Sequence, residues 1–233
     1  MSNIRLFFPE SLSINLYSKL DKSQSHYLSK VMRVNIGEKF SLFNQSGEWE
    51  AKIAKIIKGV VEFSIIKKVR SNTNEKEIWL AFAPIKLNYL NLMIQKATEL
   101  GVTRFIPILT ERTIVRKINE KRINKIIVEA SEQSNRLNVP QLEEIVKLDY
   151  FLKFNQKTNI IFGDLNTNNN KLNINSTEPL CILVGPEGDF TTKEREKILK
   201  LKNTIPLKIN ENILRSETAA ISIISIVTFN LLS

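Results

Sequence analysis

Alternating polar and apolar positions predict a group of short strands between residues 39 and 69. The segments are "KFSLFN", "EWEAKIAKII" and "VVEFSIIKKV", and the gaps between them are the turn-forming "QSG" and "KG". Alternation with a period of two places one set of side chains on a core, and short polar gaps connect antiparallel neighbours. We therefore predict an antiparallel meander or small barrel in a first domain over residues 1–70.

A polar segment followed by a change of period predicts a second domain. The run "SNTNEKE" at 71–77 has no apolar anchor, which is typical of a linker. Beyond it, short apolar strands alternate with segments of helical periodicity, and Thr191 with Glu194 forms a capping box. The predicted strands are 78–83, 104–109, 159–164, 180–185 and 204–209, and the predicted helices are one ending at Gly101, 123–134, 192–202 and 216–232. This alternation indicates a parallel α/β domain over residues 78–233.

The charge balance indicates a polyanionic partner. The chain has 34 basic and 24 acidic residues, a net charge of +10, and the excess is densest in residues 1–70. A basic surface attracts polyanions by electrostatic steering and by the release of counterions. The alternative interpretation is a solubilising surface in a lysine-rich protein.

The numbers of cysteine and histidine residues argue against an internal disulfide and against a Cys/His metal site. The single cysteine, Cys181, cannot form an internal disulfide, and its apolar neighbours favour a small buried side chain in a reducing compartment. With one cysteine and one histidine in the chain, we expect no metal cofactor.

No segment has the pattern of a leader or a membrane anchor. The run "IRLFF" is too short for the apolar part of a signal peptide. The run "AAISIISIVTFNLLS" falls short of the ~20 apolar residues of a membrane span. We expect a cytoplasmic protein without membrane contact.

Three polar segments that follow predicted strands are candidate ligand-binding loops. They are "FGD", "GPEGDF" and "NENILRSETA", and ligands of α/β sheets bind beyond the carboxyl ends of the strands. Gly185 and Gly188 permit positive φ and a close approach of the backbone to a ligand. Because the spacings of a phosphate loop and of a dinucleotide fingerprint are both absent, the "GPEGDF" corner is either another kind of binding loop or a plain strand–helix turn.

Arg215 is the residue of the last loop that a simple helix start does not explain. Ser216 is a suitable N-cap, and Glu217 complements the positive end of the helix that follows. The same helix dipole disfavours a cation at Arg215. We infer that Arg215 faces a negatively charged group, such as a phosphate or a carboxylate.

Other basic residues allow two interpretations. "TERTIVRK" places Arg112 and Arg116 after a strand, where they fit either a phosphate contact or a plain basic loop. Arg136 follows Glu132 at i+4 in a helical pattern, and this spacing favours a solvated, salt-bridged face.

Five segments together resemble the bacterial 16S ribosomal RNA (uracil-N3)-methyltransferases, a family of the SPOUT, or trefoil-knotted, methyltransferases. They follow the family's order over nearly the whole chain: "HYLSKVMRVNIGEKFSLFNQSGEWEAKI", "IQKATELGVTRFIPILTERTIV", "EASEQSNRLNVPQL", "LVGPEGDFTTKE" and "ILRSETAA". Each segment has little specificity alone, and the resemblance rests on their order and spacing.

The resemblance implies a PUA-like β-barrel followed by a knotted α/β domain that binds S-adenosylmethionine and works as a homodimer. Arg215 and Glu217 are the implied catalytic residues, facing the substrate or the methionine end of the cofactor. The residues implied to contact the cofactor are Phe162, Gly163, Val184, Gly185, Pro186, Glu187, Gly188, Ile209, Ile213 and Leu214.

The implied reaction is the methylation of N3 of a specific uridine in 16S ribosomal RNA of the small subunit. N3–H must lose its proton, and we expect Arg215 to stabilise the anionic uracil, with Glu217 as the candidate base. N3 lies on the Watson–Crick edge, so the target base must be unpaired or flipped out. The expected RNA contacts are Arg33, Arg112, Arg116 and Arg136.

Three departures from the family pattern bear on cofactor affinity. Asp189 stands where "GPEGG" has its last glycine, Asn210 and Asn212 replace a Gly and an Arg before "ILR", and Ile123 lies near the position of a common tryptophan. Asp tolerates positive φ, so the turn is expected to survive. Two other functions stay open: an RNA-binding protein that has lost the cofactor, and a knotted methyltransferase that acts on another base or on tRNA.

Overall fold

The computed structural model describes residues 4–72, 75–172 and 178–232 and separates into two compact units. The first unit comprises residues 1–74 and 131–139, and the second comprises 75–130 and 140–233. Residues 73–74 of the predicted linker lie outside the described residues. No pattern in the sequence predicts that 131–139 belongs with the first unit.

The first unit contains a five-stranded sheet. Its strands are β1 (Arg5–Phe7), β2 (Tyr17–Lys19), β3 (Lys39–Asn44), β4 (Gly47–Ile57) and β5 (Val60–Ser71). Their order is β1–β3–β4–β5–β2, with β1 parallel to β3 and the other pairs antiparallel. The predicted meander of three strands is confirmed. The two edge strands have three residues each, too few for alternation to show in the sequence.

A short helix and one apolar core complete the first unit. Helix α1 (Lys22–His26) starts at Asp21, whose side chain accepts a hydrogen bond from the main-chain N–H of Gln24, and continues into a π-helical turn, Tyr27–Val31. The inward side chains of the meander pack in the core: Phe40, Leu42, Ala51, Ile53, Val61, Phe63 and Ile65. This set is the apolar half of the alternation seen in the sequence.

A buried ion network holds the segment 131–136 within the first unit. Glu48 of β4 pairs with Arg5 at 3.3 Å and with Arg70 at 2.8 Å. Arg5 also donates hydrogen bonds of 2.8–3.3 Å to three main-chain oxygens of the segment. Burial alone would raise the pKa of Glu48, but the charge of Arg5, with hydrogen bonds from Ser41 and Arg70, lowers it. Glu48 is therefore ionised and balances two guanidinium groups.

The second unit is built on a parallel sheet. Its strands are β6 (Ile78–Phe82), β7 (Arg104–Leu109), β8 (Gln141–Leu142), β9 (Val146–Lys147), β10 (Asn159–Gly163), β11 (Leu180–Val184) and β12 (Thr204–Leu207). They lie in the order β12–β10–β11–β6–β7–β8, with β9 also paired to β7, and every pair is parallel. All five predicted strands are confirmed, whereas β8 and β9 have only two residues each and leave no periodic signal.

Each of five helices follows one of these strands along the chain. They are α2 (Leu87–Glu99), α3 (Glu120–Gln133), α4 (Leu148–Phe154), α5 (Thr192–Leu199) and α6 (Ser216–Leu232). As predicted, α2 is followed by Gly101, with a φ of 101°, and the capping box of Thr191 and Glu194 opens α5. Helix α4 was not predicted.

The order of the strands decides where a ligand can bind. β12, β10 and β11 are neighbours and parallel, so the three loops that follow them emerge at one edge of the sheet. These are the three loops selected from the sequence. The centre of the sheet is apolar, and Cys181 is fully buried in it, where burial raises the pKa of its thiol to about 12. This agrees with the predicted role of Cys181 as a packing residue.

Two further findings concern the described residues only. None of their helices is long and apolar enough to cross a membrane. No cluster of three His, Cys, Asp or Glu side chains that could hold a metal ion occurs among them.

The ion network of the first unit predicts that Glu48→Gln strongly lowers the free energy of unfolding. Removing one member of a buried ion group leaves the others without a counter-charge, which typically costs about 3–5 kcal/mol of unfolding free energy. Urea unfolding, followed by Trp49 fluorescence in a Trp79→Phe background, would measure the loss.

The matched control is Glu50→Gln, because Glu50 lies two residues along β4 and pairs with the exposed Lys39 at 3.0 Å. A surface pair of this kind contributes about 0–1 kcal/mol. Since the folded-state pKa of Glu48 is lowered, its contribution is present above the ordinary value of 4.5 and is lost as the pH falls through the folded-state value. Equal losses in the two variants, or an unchanged acid dependence in Glu48→Gln, would contradict this account.

Candidate functional site

A cavity of about 430 Å³ opens at the carboxyl ends of the strands in the second unit. Its volume falls within the roughly 300–1,000 Å³ of small-molecule sites. The walls come from the loops after β10, β11 and β12, from the start of α6, and from Lys86 and Tyr89 at the start of α2. The three loops selected from the sequence therefore line one cavity.

Most of the residues predicted to contact the cofactor line this cavity. They are Gly163, Val184, Gly185, Pro186, Glu187, Ile209, Ile213 and Leu214. The structure places Phe162 in the core, where it packs edge-on against Phe190 with ring centroids 5.4 Å apart. Gly188 lies on the outer side of the corner, and its carbonyl accepts a 2.7 Å hydrogen bond from Arg112. Both predicted catalytic residues, Arg215 and Glu217, line the cavity.

At the corner 185–189, the expected tolerance of Asp189 for a positive φ is confirmed, whereas neither glycine uses the positive φ that was considered for it. The left-handed backbone falls on Asp189, with a φ of 58°, and not on Gly185 or Gly188. The Asp189 side chain accepts a 2.7 Å hydrogen bond from the N–H of Phe190. Gly185 is needed for space, because a Cβ there would lie 2.8 Å from the ring of Phe190. The turn thus depends on one carboxylate residue and one missing side chain.

Ser216 fastens the loop before α6 to this corner. It was expected to be an N-cap, but it is the first residue of α6, and its hydroxyl donates a 2.7 Å hydrogen bond to the carbonyl of Gly185. The next residue, Glu217, is buried. The loops after β11 and β12 are therefore joined directly, beside the two predicted catalytic residues.

The loop after β10 is fixed by a buried carboxylate. Asp164 lines the cavity, and Arg195 of α5 holds it with hydrogen bonds of 2.7 and 3.1 Å. This hydrogen bonding is the main cause that raises the pKa of Arg195. Asp164 also accepts a 3.0 Å bond from the N–H of Asn166. Since these contacts use its oxygens, Asp164 acts mainly by holding the loop.

Arg215 extends from the start of α6 to the aromatic ring of Tyr89. Its guanidinium carbon lies 5.1 Å from the ring centroid. Interaction with the Tyr89 side chain is the largest cause that raises the pKa of Arg215, and the charges of Glu217 and Glu187 add to it. Arg215 is therefore a permanent cation at the mouth of the cavity, among negatively charged groups as the sequence indicated.

The four arginines expected to contact RNA differ from one another in their exposure to solvent. Arg33, Arg112 and Arg116 are exposed. Arg136 lies beyond the end of α3, is only 8% exposed and uses its carbonyl to bind Arg5. Its burial corrects the sequence interpretation of a solvated salt-bridged face.

Sequence reasoning missed the contribution of α2 to the site. Lys86 and Tyr89 follow β6, which neighbours β11, so their loop opens at the same edge of the sheet. The rule that selected the other loops would have found them if the strand order had been known. The other loops were selected by their polar residues after a strand. Lys86 and Tyr89 instead stand among ordinary helix-forming residues and do not form such a polar segment.

The fold and the cavity together define a parallel α/β protein with a small-molecule site at its strand ends and a second, basic unit. The profile of the RNA methyltransferase domain matches residues 72–228. That of the RNA methyltransferase PUA domain matches residues 20–66.

Comparison with individual proteins identifies the family within this class. The chain is 34% identical over 229 residues to the ribosomal RNA small subunit methyltransferase E of Rickettsia conorii, covering 95% of this chain and 93% of that one. The chain therefore belongs to the family of the ribosomal RNA small subunit methyltransferases E.

Solved structures agree with this assignment. The family member from Neisseria gonorrhoeae, bound to S-adenosylmethionine, has a TM-score of 0.89 and 27% identity, covering 97% of both chains. A putative methyltransferase from Legionella pneumophila, also in complex with this cofactor, has a TM-score of 0.87 and 27% identity, covering 98% of both chains. The two-domain fold is thus shared over nearly the whole length.

Substitution of Asp189 tests how the corner is held. An L-residue without a local hydrogen bond loses about 1–2 kcal/mol in the left-handed region, whereas Gly and Asn adopt it readily. We expect Asp189→Ala to lower the free energy of unfolding by about this amount, and Asp189→Gly and Asp189→Asn to stay within about 0.5 kcal/mol of the wild type. Urea unfolding followed by Trp79 fluorescence in a Trp49→Phe background is the measurement. Equal stabilities of the Ala and Asn variants would show that this φ is not enforced.

Proposed function

We propose that this protein transfers a methyl group from S-adenosylmethionine to N3 of one uridine in the 16S RNA of the small ribosomal subunit. The observation that carries the proposal is the single cavity formed by the three strand-end loops, with Arg215 and Glu217 in its wall. The family assignment and the cofactor-bound relatives support the same function.

The residues of the cavity suit this cofactor. Val184, Leu207 and Ile223 give apolar walls for an adenine ring, and Gly163 and Gly185 add no side chain to the lining. The carboxylate of Glu187 suits the positive charges of the ligand, and Lys86 suits its carboxylate. When bound, S-adenosylmethionine supplies an activated methyl group, so the protein is needed chiefly for alignment, which can contribute about 7–11 kcal/mol.

The remaining chemical problem is the proton on uridine N3. The methyl group bonds to N3 as its bond to the sulfur of the cofactor breaks, and N3 must release its proton. Loss of this proton puts negative charge on the uracil until the new bond is formed. Arg215 stabilises this charge, because its raised pKa keeps it cationic at every working pH. In this proposal Glu217 accepts the proton, which then passes to solvent.

The remaining features belong to the same proposal. Exposed Arg33, Arg112 and Arg116 contact RNA phosphates, and the two domains divide near residues 71–77. The second domain contains the trefoil knot, and the protein works as a cytoplasmic homodimer, which sedimentation at assay concentration would test. A monomer with full activity would refute the dimer.

The direct test uses labelled S-adenosylmethionine and small ribosomal subunits from cells that lack the modification. We expect label at N3 of a single uridine of 16S RNA, located by mass spectrometry of nuclease fragments. Label on another base or on tRNA would replace the substrate assignment. Cofactor binding without transfer would also refute the proposed substrate, and the absence of both would favour an RNA-binding protein that has lost the enzyme activity.

Two variants separate catalysis from cofactor binding. Loss of one charge-stabilising group typically lowers kcat about 10²–10³-fold, and loss of a general base about 10²–10⁴-fold. We expect losses of this order for Arg215→Ala and Glu217→Gln, with the dissociation constant of the cofactor, measured by calorimetry, changed less than about threefold. The control is Arg122→Ala, an exposed arginine of α3. A loss of cofactor binding parallel to the loss of activity would assign both residues to the cofactor site.

The exposed arginines predict a salt-dependent change in RNA affinity. Each phosphate contact that is removed lowers the slope of log K against log salt by about one. We expect this for Arg33→Ala, Arg112→Ala and Arg116→Ala, measured by filter binding of small-subunit RNA. Arg122→Ala is again the control. A slope equal to that of the wild type would remove the residue concerned from the RNA interface.

A further inference from the structure

We propose that Tyr89 is a positioning residue for Arg215, which fixes the guanidinium at the mouth of the cavity for the transfer step. The inference rests on the proposed function and deepens it. Tyr89 belongs to none of the segments selected from the sequence as a binding loop, and it reaches the site from α2.

The ring of Tyr89 lies beside the guanidinium of Arg215, which is otherwise exposed to solvent. The guanidinium carbon lies 5.1 Å from the centroid of the Tyr89 ring, within the range of cation–π contacts. Both side chains line the cavity, Tyr89 half-buried and Arg215 exposed. A long exposed side chain samples many rotamers, and a contact with a ring reduces them.

Both partners stand on rigid supports. Tyr89 lies in the first turn of α2, directly before Leu90, which is 2% exposed in the core. Arg215 directly precedes Ser216, which is bonded to the carbonyl of Gly185. With both main chains fixed, the ring contact determines where the charge of Arg215 stands.

This placement matters because the proposed role of Arg215 is electrostatic. A stabilising charge acts only if it already stands where negative charge develops, and small displacements cost activity steeply. Tyr89 contacts Arg215 and acts through it. Loss of the Tyr89 ring should therefore lower kcat without weakening the binding of the cofactor.

Kinetics of Tyr89→Leu, Arg215→Ala and the double variant test this. We expect Tyr89→Leu to lower kcat about tenfold, with the cofactor dissociation constant within about twofold of the wild type. Because the effect passes through Arg215, the second substitution should lower kcat less than about twofold when Arg215 is already Ala. Tyr89→Phe keeps the ring and should stay within about threefold of the wild type. Tyr150→Leu, an exposed tyrosine of α4, is the control.

A second measurement detects the contact itself without catalysis. In the ligand-free protein, the ring current of Tyr89 should shift the Arg215 side-chain NMR resonances, which are assigned by their loss in Arg215→Ala. The shift should disappear in Tyr89→Leu and persist in Tyr89→Phe. Thermal unfolding of each variant verifies that the fold is retained.

The outcomes are distinct. Wild-type kcat in Tyr89→Leu, additive losses in the double variant, or unshifted Arg215 resonances would each overturn the positioning role. Weaker binding of the cofactor by Tyr89→Leu, with an unchanged kcat, would also overturn the positioning role and make Tyr89 a cofactor contact. If the wild type binds the cofactor but methylates no RNA, the proposed function fails and the inference fails with it, even where the NMR contact persists.

Discussion

The parallel pairing of β12, β10 and β11 is the constraint on which the site depends. Three segments separated by up to about 50 residues in sequence meet because parallel strands point their carboxyl ends to one edge. The strands themselves are apolar on both faces, as buried parallel strands are. Polar side chains therefore gather only where these strands end, and the cavity forms there. The candidate site therefore lies at that edge of the sheet.

Packing and hydrogen bonds then turn three loops into one wall. The ring of Phe190 fills the space that a side chain at 185 would need, and Ser216 joins the corner to the last loop. Asp164, in the loop after β10, is likewise held by a hydrogen bond from Arg195 of α5. The polar groups that bind the loops to one another are thus mostly used internally. The cavity also has charged residues outside these contacts, among them Lys86, Glu187, Arg215 and Glu217.

The sequence was sufficient for most of the fold and for most of the cavity. Long apolar strands and periodic helices were predicted, because burial on one or both faces leaves a clear pattern over five or more residues. Strands β1, β2, β8 and β9 were missed, since two or three residues carry no period. The burial of Arg136 was not predicted for another reason: its segment is hydrogen-bonded to Arg5, which lies more than 120 residues away in the sequence. Tyr89 could not be found without the strand order.

The charged groups at the edge indicate how the site divides its work. Arg195 and Arg215 both have raised pKa values, chiefly through the hydrogen bonds of Arg195 to Asp164 and the interaction of Arg215 with the Tyr89 side chain, and so neither can exchange a proton near neutral pH. One is used up in holding Asp164, and the other faces the cavity. A permanent charge of this kind can stabilise an anionic base but cannot remove its proton, so the proton must leave through a carboxylate or solvent. This is the physical reason for giving Arg215 and Glu217 different roles although they are two residues apart in the chain.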